Sequence, residues 1–114
     1  MKINLNKYIF PYNGTIFDAL YKIKINKIKT LFVLKNHKVI GVLDIEDIVV
    51  AFLNGTNVYS SIDCIYNKSF KYLTCRSLKK AKELFKRFNL TAIPILNKKH
   101  NLSDLITIKD ILKL

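Results

Sequence analysis

Two spacings of apolar residues alternate along the chain. Ile16, Leu20 and Ile23, with Ala19 beside them, recur at the helical period and mark one buried face. Thr15 stands at the N-cap position of that helix, and Asp18 three residues on completes a capping-box pattern. A short unbroken apolar run follows at 31–34, the kind that suits a strand covered on both faces. The polar turn Lys35-Asn36-His37-Lys38 leads into a second run at 39–43, so the two runs read as a β-hairpin. Asp44 then caps a helix with apolar positions Ile45, Ile48, Val49, Phe52 and Leu53, and Asn54-Gly55 supplies its stop signal. Residues 7–10 lead the series as a short extended piece.

The same order then returns. Residues 70–73 are the extended piece, and Ser77 caps a helix with the stripe Leu78, Ala81, Leu84, Phe85 and Phe88. Lys79, Lys80, Lys82, Glu83, Lys86 and Arg87 fill its other face. Ala92-Ile93-Pro94-Ile95-Leu96 and residues 102–106 form the second hairpin, and Thr107 caps a helix begun by Ile108, Ile111 and Leu112. Thr15 aligns with Ser77, the run at 30–34 with that at 92–96, and Gly41 to Ile48 with Asp104 to Ile111. The chain is therefore two copies of a strand–helix–strand–strand–helix unit, with one residue added in the second hairpin loop. Residues 1–56 form the first copy and 70–114 the second. Residues 57–69 are the connector, in which Ile62, Ile65 and Tyr66 are expected to make an apolar turn of helix. Units this short rarely bury a sufficient core alone, so the copies are expected to pack on each other.

The 114 residues are half hydrophobic, which excludes a disordered tail. No apolar stretch approaches the roughly 20 residues of a membrane span, and the N-terminus shows no secretory h-region, so a cytoplasmic protein is expected. Charge is the outlying feature: 20 Lys+Arg against 8 Asp+Glu, a formal net charge of +12. Such a balance attracts nucleic acid or phosphate ligands. Only Arg76 and Arg87 are arginine, however, and abundant Lys, Asn and Ile are what an AT-rich genome writes. Dedicated nucleic-acid surfaces use arginine for bidentate contacts, so nucleic-acid binding ranks behind the readings given below. Cys64 and Cys75, with His37 and His100, lack a zinc spacing and read as reduced, partly buried thiols. No Gly-rich phosphate loop, nucleophile elbow or acid/base pair in a defined pocket is present, so the chain itself is not expected to be an enzyme, and no catalytic residue or metal ligand is assigned.

A duplicated β-α-β-β-α unit whose last helix opens with Thr107-x-x-Asp110 resembles the cystathionine-β-synthase (CBS) domain, from about Lys7 to Leu114. The resemblance implies an α/β (α+β) fold, with two repeats packed sheet to sheet as one pseudo-two-fold module. It also implies a regulatory role, with an adenosine nucleotide such as AMP, ADP or ATP as ligand. The first copy, Gly41-Val42-Leu43-Asp44-Ile45-Glu46-Asp47-Ile48-Val49-Val50 and then Ala51-Phe52-Leu53-Asn54-Gly55, is most similar to the pair at the N-terminus of bacterial sugar-phosphate nucleotidyltransferases. In that group a Thr precedes the helix and paired arginines follow its Asp. Here Asp44 replaces the Thr, and Val49 and Val50 replace the arginines. Asp44 and Glu46 repel phosphate, so Asp44 and Asp47 mark at most a degraded second site.

In the second copy Thr107 and Asp110 keep the pattern, and Lys109 adds a positive charge. By the resemblance these three hold ribose and phosphate, while backbone around Tyr72 to Thr74 and Ala92 to Pro94 holds the base. The same Thr-x-x-Asp pattern is also an ordinary capping box, which needs no ligand, and Pro94 also suits an edge strand. The implied partners are a nucleotidyltransferase catalytic domain, in the same or another chain, and a second copy joined through the CBS helices. The alternative is a ligand-free scaffold for dimerisation or domain docking.

Overall fold

A computed structural model describes residues 4–113, which divide into two compact units, Asn4–Phe70 and 71–113. The first copy runs β1 (Ile9–Pro11), α1 (Ile16–Asn26), β2 (Thr30–Lys35), β3 (Lys38–Asp44) and α2 (Ile45–Leu53), and the second repeats this order without the leading strand: α3 (Leu78–Arg87), β4 (Ala92–Leu96), β5 (Leu102–Thr107) and α4 (Ile108–Leu112). The fold is mixed α+β with two small sheets.

In the first unit β1 runs parallel to β2, with Ile9 opposite Phe32 and Pro11 opposite Leu34. β2 and β3 are antiparallel from Thr30–Asp44 to Lys35–Lys38. Their two-residue turn places both Asn36 (φ 51°) and His37 (φ 67°) in the left-handed region. That geometry matches the right-handed twist of the strands it joins. Leu31, Phe32 and Val33 are fully buried, as a strand covered on both faces requires. Ile16, Ala19 and Ile23 of α1 and Ile48 of α2 bring their apolar faces to a core with Phe10, Leu31, Val33 and Leu43. Thr15 Oγ1 accepts from the Asp18 N–H at 3.1 Å, and Lys27 ends α1 in the left-handed conformation.

Residues 57–69 are built into this unit rather than spanning away from it. Ser61 bridges Thr15, the Ile62 N–H donates to Gly14 O at 2.9 Å, and Ile62 is completely buried. Asn67 exchanges two hydrogen bonds with Val42, at 2.8 and 3.0 Å, and so covers the outer edge of β3. The Tyr66 ring lies over Gly41, where a Cβ would stand 2.2 Å from Cδ2. The apolar turn expected here is a single 3-10 turn, Ile62–Cys64.

In the second unit β4 and β5 are antiparallel, from Ala92–Thr107 to Leu96–Leu102. Ala81, Ile93, Ile95 and Ile106 form the core, flanked by Leu73, Leu78, Leu84, Phe85 and Ile111. Three local expectations differ from the structure. Residues 5–8 are a 3-10 turn capped by the Asn4 side chain, and the strand begins only at Ile9. In the stretch 70–73 the β-bridge to β4 is made by Leu73, opposite Ile95 in parallel, with its N–H on Pro94 O and its carbonyl accepting from Leu96 N–H. Pro94 has no N–H for the residues before Leu73, so the strand cannot be continued backwards. Cys64 and Cys75 are exposed free thiols, not partly buried ones: Cys64 ends the 3-10 turn and Cys75 lies in the segment before α3, and neither side chain joins a core.

Candidate functional site

The start of α4 is held by reciprocal hydrogen bonds. The Thr107 N–H donates to Asp110 Oδ2 at 2.8 Å, and the Asp110 N–H donates to Thr107 Oγ1 at 3.4 Å. The capping box read from the sequence is therefore formed, with its stronger half on the carboxylate. Ala92 pairs directly with Thr107 across the hairpin, so these residues gather at one end of the small sheet. Thr107 and Asp110 are half-buried and Lys109 is exposed. Since α4 spans only five residues, its dipole adds little, and positive charge here must come from side chains.

The residues expected to hold a base are less concentrated. Leu73 brings the 72–74 backbone alongside Pro94, and Ala92 and Pro94 are buried in β4. The Tyr72 ring meets the His100 ring edge-on at 5.5 Å, by the hairpin turn and away from the Ala92–Thr107 end. Thr74 is exposed in the segment before α3.

Sequence reasoning passed over Arg76, whose Nη1 donates to Asp104 Oδ2 and to Leu105 O, both at 3.0 Å. Its Nη2 stands 3.9 Å from Asp110 Oδ2. The Leu105 N–H in turn donates to Asp104 Oδ1 at 2.8 Å. Leu105 corresponds to Val42, whose N–H and carbonyl are met by Asn67. In the second copy the Arg76 and Asp104 side chains satisfy the same two backbone groups. The sequence did carry a signal: Arg76 and Asp104 align with Gly14 and Gly41, and a paired gain of opposite charges at two glycine positions points to contact.

The corresponding place in the first copy is acidic. Asp44 Oδ1 accepts from the Glu46 N–H and its Oδ2 from the Thr30 hydroxyl, both at 3.1 Å. The Asp44 N–H donates to Asp47 Oδ2 at 2.8 Å, completing a second capping box. Burial raises the Asp47 carboxyl above its usual range. The Asp44 N–H opposes this, and the charges of Asp44 and Glu46 add to the rise. α2 contains no cation. An open hollow of about 360 Å³ lies by the first hairpin turn, between Lys22, Pro11 and His37, and includes neither Asp44 nor Asp47. The Lys22 ammonium there donates to Ile9 O, and burial lowers its pKa. Among the described residues no group of three or more His, Cys, Asp or Glu side chains could hold a metal ion, and no buried side-chain polar atom lacks a partner.

The CBS domain model matches residues 6–54 and 76–114, and the chain belongs to the CBS domain family as a tandem pair. A CBS domain protein from Pyrobaculum aerophilum, complexed with AMP, superposes with a TM-score of 0.80 at 19% identity, covering 92% of this chain and 87% of that one. The CBS domains of a transcriptional regulator from Streptococcus pneumoniae give 0.81 at 14% identity, covering 100% and 94%. A CBS domain pair complexed with 5′-methylthioadenosine and S-adenosyl-L-methionine gives 0.80 at 17%, covering 92% and 87%. At these identities the likeness establishes the fold. No curated protein gives a significant match. No described helix is long and apolar enough to cross a membrane.

Proposed function

We propose that this chain is a regulatory module whose second copy binds an adenosine-type nucleotide and which controls an attached or partner sugar-phosphate nucleotidyltransferase. One observation carries the ligand reading: Thr107 and Asp110 stand together at the end of β5 with Arg76 and Lys109 as neighbouring cations, while α2 of the first copy opens with Glu46 and Asp47 behind Asp44 and carries no cation. Of the solved relatives, one was complexed with AMP and another with 5′-methylthioadenosine and S-adenosyl-L-methionine, which favours the adenosine class. The similarity of 41–55 to the nucleotidyltransferase-linked pairs supports the choice of target. Regulation would follow from differential affinity: a ligand that binds one arrangement of the module more tightly shifts the population towards it, and the coupled enzyme responds. Calorimetric titration with AMP, ADP and ATP tests the ligand reading. Saturable heat is expected. Its absence at millimolar ligand, with folded protein confirmed by circular dichroism, removes nucleotide sensing. A nucleotidyltransferase assay with and without the module, at saturating AMP, tests the target, and an unchanged rate removes it.

A scaffold reading has its own support. Phe17, Tyr21 and Ile25 form an exposed i, i+4, i+8 stripe on α1, with Tyr59 stacked on Phe17, and Phe52 and Leu53 are exposed on α2. Apolar helix faces of this kind suit a second copy of the chain. Light scattering over a concentration series tests it, and a monomer at every concentration removes self-association.

A further inference from the structure

We propose that Arg76 makes the second copy selective for phosphorylated adenosine ligands over the uncharged nucleoside; this deepens the nucleotide reading above and rests on it. The first argument is charge. Around the start of α4 the carboxylates Asp104 and Asp110 are met by the Arg76 guanidinium, and Lys109 is a second cation on the same helix. Without Arg76 the acids outnumber the bases, and a phosphate arriving there meets net repulsion. In the first copy Gly14 occupies the position of Arg76, so no arginine is tethered beside Asp44, Glu46 and Asp47, and α2 itself carries no cation. An arginine at Gly14 would have to displace the buried Phe10 ring, since its Cβ would lie 2.4 Å from that ring.

The second argument is donor capacity. Both hydrogens of Nη1 are used, one on Asp104 Oδ2 and one on Leu105 O. These two bonds tether the guanidinium to the edge of β5. Nη2 and Nε retain their hydrogens, and Nη2 stands 3.9 Å from Asp110 Oδ2, outside hydrogen-bond range. A tethered guanidinium with unspent donors beside a ribose-binding carboxylate suits a phosphate oxygen, which it meets in a planar fork that lysine lacks. The side chain keeps 44% of its surface accessible, so a ligand can reach it.

The test compares AMP with adenosine by calorimetry on wild type, Arg76→Gln, Arg76→Lys and Asp104→Asn. Arg76→Gln is expected to weaken AMP about tenfold and adenosine less than about twofold. Arg76→Lys keeps the charge but not the fork, and should recover only part of the AMP preference. Asp104→Asn removes a negative charge while its side-chain oxygen can still accept from Leu105, and should strengthen AMP about twofold to threefold. AMP affinity of the wild type should fall as salt rises, and adenosine affinity should not. Should Arg76→Gln fail to fold, Asp104→Asn and the salt series carry the same contrast. An unchanged AMP-to-adenosine ratio, or equal loss of both ligands, overturns the selectivity. Failure of the wild type to bind either ligand overturns the nucleotide reading itself.

Discussion

Gly41 faces the Tyr66 ring so closely that a methyl group cannot be added without moving something. In Gly41→Ala the new Cβ would stand 2.2 Å from Cδ2, 2.6 Å from Cε2 and 3.0 Å from Asn67 O. Ordinary contact begins near 3.4 Å, so the ring must retreat by more than an ångström. It is not free to do so: Tyr66 is 9% exposed, and its neighbour Asn67 is bonded twice to Val42. Two responses are open. The ring can be forced off its preferred rotamer against Ile62 and the core, an overpacking cost of about 1–3 kcal/mol. Alternatively, segment 65–68 can lift from β3, losing two backbone hydrogen bonds worth about 0.5–1.5 kcal/mol each together with part of the ring's burial. The cheaper route sets the cost, about 1–3 kcal/mol, a large share of a typical 5–15 kcal/mol stability. Urea unfolding followed by far-ultraviolet circular dichroism should show a midpoint lowered by roughly 1–3 M. Adding Tyr66→Ala removes the obstacle, so the double variant should be markedly less destabilised than the sum of the singles. An unchanged midpoint for Gly41→Ala, or strict additivity in the cycle, would refute the claim that segment 57–69 is clamped onto the first sheet.

Three further outcomes follow from the two capping boxes. Because burial and two neighbouring carboxylates raise the Asp47 pKa, the folded state binds its proton at higher pH than the unfolded chain. The ionised group therefore subtracts from stability above the raised pKa, and that penalty fades as pH falls towards the ordinary carboxylate range. Asp47→Asn, whose side-chain oxygen can still accept from Asp44, should melt at or above wild type at pH 7, with the gap closing near about pH 4; a lower melting temperature at pH 7 would contradict this. In the second box the carboxylate bond is 2.8 Å and the hydroxyl bond 3.4 Å, so Asp110→Ala should cost more than Thr107→Ala, about 1–2 against about 0.5 kcal/mol. Urea titration of both variants checks the order, and the reverse order would show that Thr107 holds the helix. Saturating AMP at about 100 times its Kd should stabilise the wild type by about 2.7 kcal/mol, read as a melting shift that Asp110→Asn diminishes.

Much of the architecture was legible because it is written locally. Thr15, Asp44, Ser77 and Thr107 each precede an apolar helical stripe, and each accepts a backbone N–H at the start of its helix. The turn at Asn36-His37 and the runs at 31–34 and 92–96 declare their hairpins through neighbours a few residues away. The repeat then supplies the order of elements twice, and the match to the CBS family covers both copies. The candidate residues Thr107 and Asp110 were legible for the same reason, since their spacing is a property of one helical turn.

What the sequence alone determined, then, was what period, cap and turn set: the four helices, the two hairpins, their order, the duplication and the family, but not the short leading pieces at 7–10 and 70–73. Tertiary structure decided how the strand edges are covered. Only in three dimensions does segment 57–69 become part of the first unit, with Tyr66 filling the space that Gly41 leaves. Only there does Arg76 reach Asp104 and Leu105, far along the chain, to do by side chain what Asn67 does by backbone for Val42. The reason is physical: a buried backbone N–H or carbonyl must find some partner, but neither the hydrophobic period nor the helix caps specify which distant group supplies it.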